Sequence, residues 1–126
     1  MRKMGRWLVL LIPCAMSLLF GVAAAQPGST DGVLTDKKGM TLYWWDNDIA
    51  GSGKSVCNGP CTLTMAPFQA EDSAKASAEF GLIVRDDGKK QWTYKGHPLY
   101  LYVNDKKPGD RAGDGFRGGT WHYAKQ

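Results

Sequence analysis

Two histidines, three cysteines and a surplus of only four positive charges are the sparse features of this 126-residue chain. Each scarcity excludes something. With so few histidines, and no Ser, Cys or Lys nucleophile in a recognisable motif, no catalytic set is visible. The length excludes a large multidomain enzyme and predicts one small domain. The charge surplus belongs mostly to Arg2, Lys3 and Arg6, which precede an apolar run. Without residues 1–25 the chain has 101 residues with 13 basic and 12 acidic groups, interspersed. Phosphate attraction needs clustered Lys and Arg, so neither nucleic acid nor an anionic membrane is an expected partner. A nucleotide is not expected either. Gly51-Ser52-Gly53-Lys54-Ser55 resembles the end of a phosphate-binding loop, but that pattern needs Gly at position 48, where Asp48 stands. The stretch reads as a flexible polar turn.

What the chain does have begins at its start. A basic tip, the 19-residue apolar run Trp7 to Ala25, and Ala23-Ala24-Ala25 before Gln26-Pro27 form the three-part pattern of a secretory signal peptide. Residues 1–25 are therefore expected to be cleaved, with only transient membrane contact, giving an exported, periplasmic or secreted protein. The alternatives are an uncleaved anchor, since the run approaches the roughly 20 residues that span a bilayer, and lipid attachment at Cys14. No Lys or Arg follows closely to stop transfer. Pro13 stands where a lipid-attachment box wants a small residue, so lipid anchoring at Cys14 is not favoured.

Residues 26–31 have the composition of a short flexible lead-in, and a single domain is expected over 32–126. Val33-Leu34-Thr35, Asp36 to Gly39 and Met40 to Trp45 read as strand, turn, strand. Phe80 to Arg85, Asp86 to Lys89 and Gln91 to Tyr94 repeat that grammar, and further strands are expected at Leu99 to Val103 and Trp121 to Tyr123. Ala70 to Glu79 is rich in helix formers without a large apolar stripe, which allows at most one short surface helix. Pro108 to Gly119, with five glycines in twelve residues, reads as a long loop. The expected fold class is mainly β: a small single domain of two related β-hairpin-type repeats.

The duplication is visible directly. Residues 39–48 and 96–105, offset by 57, share five identities. Side chains alternate along a strand, so Tyr43 and Trp45 share one face and Leu42 and Trp44 the other, as do Tyr100 and Tyr102 against Leu99 and Leu101. Asp48 and Asp105 fall just past the strand ends, where a carboxylate can accept N–H groups of the following turn. In these motifs the chain resembles the bacterial secreted-repeat proteins, often labelled predicted lipoproteins, with a duplicated Tyr-x-aromatic-x-x-Asp motif. Both copies match, as Tyr43-x-Trp45-x-x-Asp48 and Tyr100-x-Tyr102-x-x-Asp105. The similarity extends over roughly residues 32–123 and includes the Cys-x-x-x-Cys pair and the Arg85-Asp86-Asp87-Gly88 turn. The chain departs from it at Met65-Ala66-Pro67, where the family commonly has Trp-Pro-Pro. The resemblance implies no established biochemical activity.

Cys57 and Cys61 are an even pair in an oxidising compartment, which points to a disulfide. A redox pair is the alternative, although thiol oxidoreductases typically space their cysteines by two residues. Haem attachment fails because Thr62 replaces the required His. His97 and His122, with Cys57, Cys61, Met40 and Met65, are candidates for a copper or zinc site, against which stand surface or packed histidines. Asp46, Asn47, Asp48, Asn104, Asp105, Asp110 and Asp114 lack the spacing of a hand-type calcium loop and read as turn caps. Twelve aromatics follow residue 25. Core packing is the first expectation for Tyr43, Trp45, Tyr100 and Tyr102, and a platform for a sugar, peptide or flat cofactor the second.

The sequence thus points to an exported non-catalytic module without a required cofactor, whose partner is an envelope component or a small ligand. A periplasmic metal or haem binder and a thiol-disulfide protein are the alternatives.

Overall fold

The computed structural model describes residues 26–126, so the expected signal peptide and Cys14 lie outside the described residues. Ten short strands follow in order: β1 Gly28–Thr30, β2 Val33–Thr35, β3 Leu42–Trp45, β4 Met65–Pro67, β5 Gln69–Ala70, β6 Phe80–Val84, β7 Lys90–Tyr94, β8 His97–Pro98, β9 Tyr100–Tyr102 and β10 Trp121–Tyr123. A 3-10 turn at Gly59–Leu63 and a helical turn at Phe116–Gly119 complete the elements. The protein is mainly β.

The two motif strands lie side by side. β3 and β9 pair antiparallel at the centre of a sheet ordered β10-β3-β9-β4, with Tyr43 directly opposite Tyr100. These two tyrosines are equivalent in the repeats, so an approximate twofold axis passes through their pair and exchanges the halves. The hydrogen bonds flanking the sheet obey it. Ala124 N–H donates to Leu42 O and Leu34 N–H to Ala124 O; Phe68 N–H donates to Leu99 O and Trp92 N–H to Phe68 O.

Alternation then splits the core between the faces of this sheet. Leu42 and Leu99 enter one cluster with Leu34, Trp92, Tyr94 and Ala124; Tyr43 and Tyr100 enter the other with Cys57, Met65 and Trp121. Tyr43, Tyr100, Leu42 and Leu99 are fully buried.

Two expectations need correction. The lead-in is not free: Gly28–Thr30 is a strand paired with Val33–Thr35, because Asp31 and Gly32 both take positive φ and close a tight hairpin. Ala70 to Glu79, where at most one short helix was expected, forms none. It has no apolar stripe to dock, and its Ala70 and Ala74 instead pack against the core while Lys90 Nζ donates to Asp72 O. The Pro108 to Gly119 stretch is loop only as far as Gly115, after which Phe116–Gly119 makes one irregular turn. The turns at 36–39 and 86–89 form as expected, closed by Gly39 N–H to Asp36 O and Gly88 N–H to Arg85 O. Residues 51–53 form a turn and bend.

Candidate functional site

The motif residues meet across the axis. Tyr43 donates its hydroxyl to Asp105 Oδ2 at 2.6 Å, and Tyr100 donates to Asp48 Oδ2 at 2.6 Å. Each tyrosine thus reaches the aspartate of the other repeat. The second oxygen of each carboxylate holds its own downstream loop: Asp48 Oδ1 accepts Val56 N–H at 2.7 Å and Asp105 Oδ1 accepts Ala112 N–H at 2.9 Å. The expected capping role is present, but it spans a whole loop instead of one turn.

The surroundings of the two pairs differ. Around Tyr100 the partners are side chains. With its own hydrogen given to Asp48, its hydroxyl oxygen accepts from Ser55 Oγ, which in turn accepts from Arg85 Nη1 at 2.9 Å. Arg85 is 5% exposed; it further donates to Gln91 Oε1, to Cys57 O and to Asn58 Oδ1. Cys57 and Cys61 are joined in a disulfide beside this network. Around Tyr43 the extra partner is backbone, Gly113 N–H at 3.2 Å from the hydroxyl. A Cβ at Gly113 would stand 3.0 Å from ring carbons of both Tyr43 and Tyr102, tighter than ordinary contact, so glycine lets the loop approach without displacing either ring. Gly96 has a similar role under the other loop: Gly51 N–H donates to its carbonyl, and a Cβ there would meet Gly51 N at 2.6 Å.

Burial, and next the hydrogen bond to the facing carboxylate, push both tyrosine hydroxyls far above the ordinary tyrosine range. They stay protonated donors and are unsuited to act as bases. Burial also raises Asp48, against the opposing pull of Tyr100, Val56 and Arg85. Every hydroxyl and carboxylate of the two Tyr–Asp pairs is therefore engaged inside the protein. Trp45 and Tyr102, the motifs' middle aromatics, are half-buried: Trp45 stacks on Trp121 with ring centroids 5.0 Å apart, and Tyr102 packs on Phe116.

His97 and His122 come together around an indole. Trp44 contacts both imidazoles, with ring centroids 4.3 Å and 4.4 Å away. His122 reaches it from β10 on one side of β3, while His97 precedes β9 on the other. His122 Nε2 pairs with Asp46 Oδ1 at 2.8 Å. His97 is partly desolvated, which lowers its pKa, and its Nδ1 has no hydrogen-bond partner. The sulfur candidates Cys57 and Cys61 are consumed by their disulfide. Among the described residues, no three His, Cys, Asp or Glu side chains group as a metal site. Asp110, expected as a turn cap, accepts the N–H groups of Lys106 and Lys107, which lower its pKa.

One surface feature was not expected from the sequence. A groove of about 260 Å³ runs between the repeats, lined by Trp45, Pro60, Cys61, Thr64, Met65, Phe116, Arg117 and Trp121. Its walls come from β3, β4, β10 and the two short helical turns. Phe116 and Arg117 gave no sequence signal because both sit in a glycine-rich stretch without periodicity.

Comparison with known proteins adds one match. No curated protein and no solved structure is similar to this chain. A family model described as a secreted repeat of unknown function matches twice, over residues 28–64 and 81–125. Each matched segment contains one copy of the Tyr-x-aromatic-x-x-Asp motif, and the crossed hydrogen bonds join one segment to the other. The chain is an exported protein that belongs to this family of secreted repeats of unknown function.

Proposed function

We propose that this protein is a non-catalytic binding module of the periplasm or extracellular medium, released after Ala25, which holds a small ligand in the groove between its repeats. The observation that carries this reading is a division of labour among the aromatics. Tyr43 and Tyr100 are fully buried and hydrogen-bonded, so the motif is scaffold. Trp45, Phe116 and Cys61 remain half-exposed along a concave apolar wall, the usual form of a small-molecule site. The buried tyrosines remove the sequence's own platform from reach, and the groove takes its place.

The test is a small-molecule screen on the mature chain by nitrogen-15 NMR, which reads its four indole N–H signals separately. Ligands should shift Trp45 and Trp121 while Trp92 stays fixed. A screen in which the shifts gather on Trp44, or in which no indole moves, overturns the reading.

A further inference from the structure

We infer that the groove between the repeats is built for a flat apolar molecule carrying a single carboxylate, with Arg117 as the partner of the negative charge. This deepens the binding reading above and rests on it. Three independent observations point to this ligand class.

The first is the shape and chemistry of the walls. Trp45 stacks parallel on the buried Trp121, 1° apart in plane, so its indole is held flat in the wall beside Phe116, Met65 and Cys61. Only Thr64 and Arg117 contribute polar side chains to the lining. A sugar would need several fixed donors and acceptors there, whereas a fused-ring system needs flat apolar contact. At about 260 Å³ the groove lies just under the usual ~300–1,000 Å³ of ligand sites, which limits the occupant to a small one.

The second is charge. Arg117 is the only ionic residue in the lining, and no Asp or Glu accompanies it. Among the described residues its guanidinium enters neither of the two ion pairs and makes no side-chain hydrogen bond. Its neighbour is the Phe116 ring, 5.5 Å away. A guanidinium offers the paired donors that match a carboxylate.

The third is the backbone. Arg117 has φ 58° and ψ 55°, left-handed values that cost any side chain bearing a Cβ. Gly115, Gly118 and Gly119 around it all have positive φ. A glycine at 117 would hold this turn without strain, so the arginine there carries a backbone cost beside the groove's rim, where strain is expected at a functional position.

The experiment uses the mature chain and two probes of equal shape, 2-naphthoate and the uncharged 2-naphthamide, followed by calorimetry and the indole NMR signals. Naphthoate should bind one to one, about tenfold tighter than the amide, as one charge-assisted contact allows. Arg117→Gly relieves the left-handed backbone and should reduce naphthoate to the amide's affinity while leaving the amide unchanged; Arg117→Asn, which also tolerates this φ, should do the same. Equal affinity of the two probes, or an unchanged naphthoate affinity in both variants, overturns the anionic ligand class while the groove stands. Failure of both probes to bind, or shifts away from Trp45 and Trp121, overturns the groove itself.

Discussion

The Tyr100–Asp48 pair and the Tyr43–Asp105 pair have the same bond length and the same crossing, yet they are braced by different means. The first is held by side chains: Ser55, a buried Arg85, Gln91 and a disulfide-linked turn. Both carboxylates accept one loop N–H, from Val56 or Ala112, but behind Tyr43 the further brace is also main chain, Gly113 N–H, with no Cβ there to hold the loop off. The duplication therefore preserved a geometry while the means of satisfying it diverged. What both copies need is a donor and a carboxylate at matched register; everything behind them is replaceable by any group that fills the same hydrogen-bonding vacancy.

The comparison can be broken most forcefully at Arg85. Arg85→Met leaves Gln91 Oε1, Cys57 O and Asn58 Oδ1 without this donor, and should cost about 3–4 kcal/mol in chemical denaturation. Hydrogen exchange should then show loss of protection over 48–58 with little change over 105–113. Equal loss in both loops would mean that the two braces are not separate. Tyr43→Phe should cost about 3 kcal/mol, because it strips donor from Asp105 and acceptor from Gly113 together. Tyr100→Phe likewise strips the donor from Asp48 but leaves no backbone N–H unpaired, since Ser55 keeps Arg85 and Cys57 N–H as partners, and should cost less, about 1.5 kcal/mol. A reversed order in the two denaturation curves refutes this reading of what each hydroxyl leaves behind.

Replacing Cys57 and Cys61 by alanine should cost about 2 kcal/mol, the value for so small a loop, and should be felt at Tyr100 more than at Tyr43. Double-mutant cycles with each Tyr→Phe variant measure that difference, and coupling of equal size would erase it. The alkaline limb of the stability curve tests what the pairs share. Both tyrosine pKa values are raised above the unfolded value of 10.0. Their contribution is thus complete below about pH 10 and is lost as pH rises beyond it. The melting temperature should fall above pH 10 in the parent chain and less steeply in either Tyr→Phe variant. The smallest effect lies on the opposite face of the sheet. The pKa of His97 is lowered from 6.5 by desolvation, so its contribution is present above that pH and fades as pH falls below it. His97→Gln should flatten a slight acid-side decline in melting temperature; an unchanged decline would place its cause elsewhere.

Much of this architecture could be read in the residues. Period-two alternation placed Tyr43 and Trp45 on one face and Leu42 and Trp44 on the other, and the two core clusters divide along that line. The turns at Gly39 and Gly88 were legible because a positive φ leaves a compositional mark. The Asp residues could be read as caps, but the crossing could not, since it depends on which strands pair and an offset of 57 is silent on that. The lead-in was misread for a related reason: Gly28-Ser29-Thr30 has no apolar signal, and its pairing partner Val33–Thr35 makes it a strand. Arg85 looked like part of a turn. Its burial follows from four acceptors brought together from separate segments, a coincidence that no local pattern reports.

The crossed bonds also have a bearing on what a single repeat is. In a twofold dimer one residue meets a second and that second meets the first, the reciprocity of an isologous interface. This chain carries that interface within itself, over sequence separations of 62 and 52 residues. A lone half would leave its tyrosine without a carboxylate and its carboxylate without a tyrosine, and would be an incomplete fold in search of its complement. The linker between the repeats then acts as a tether, converting an encounter between two subunits into an event within one molecule.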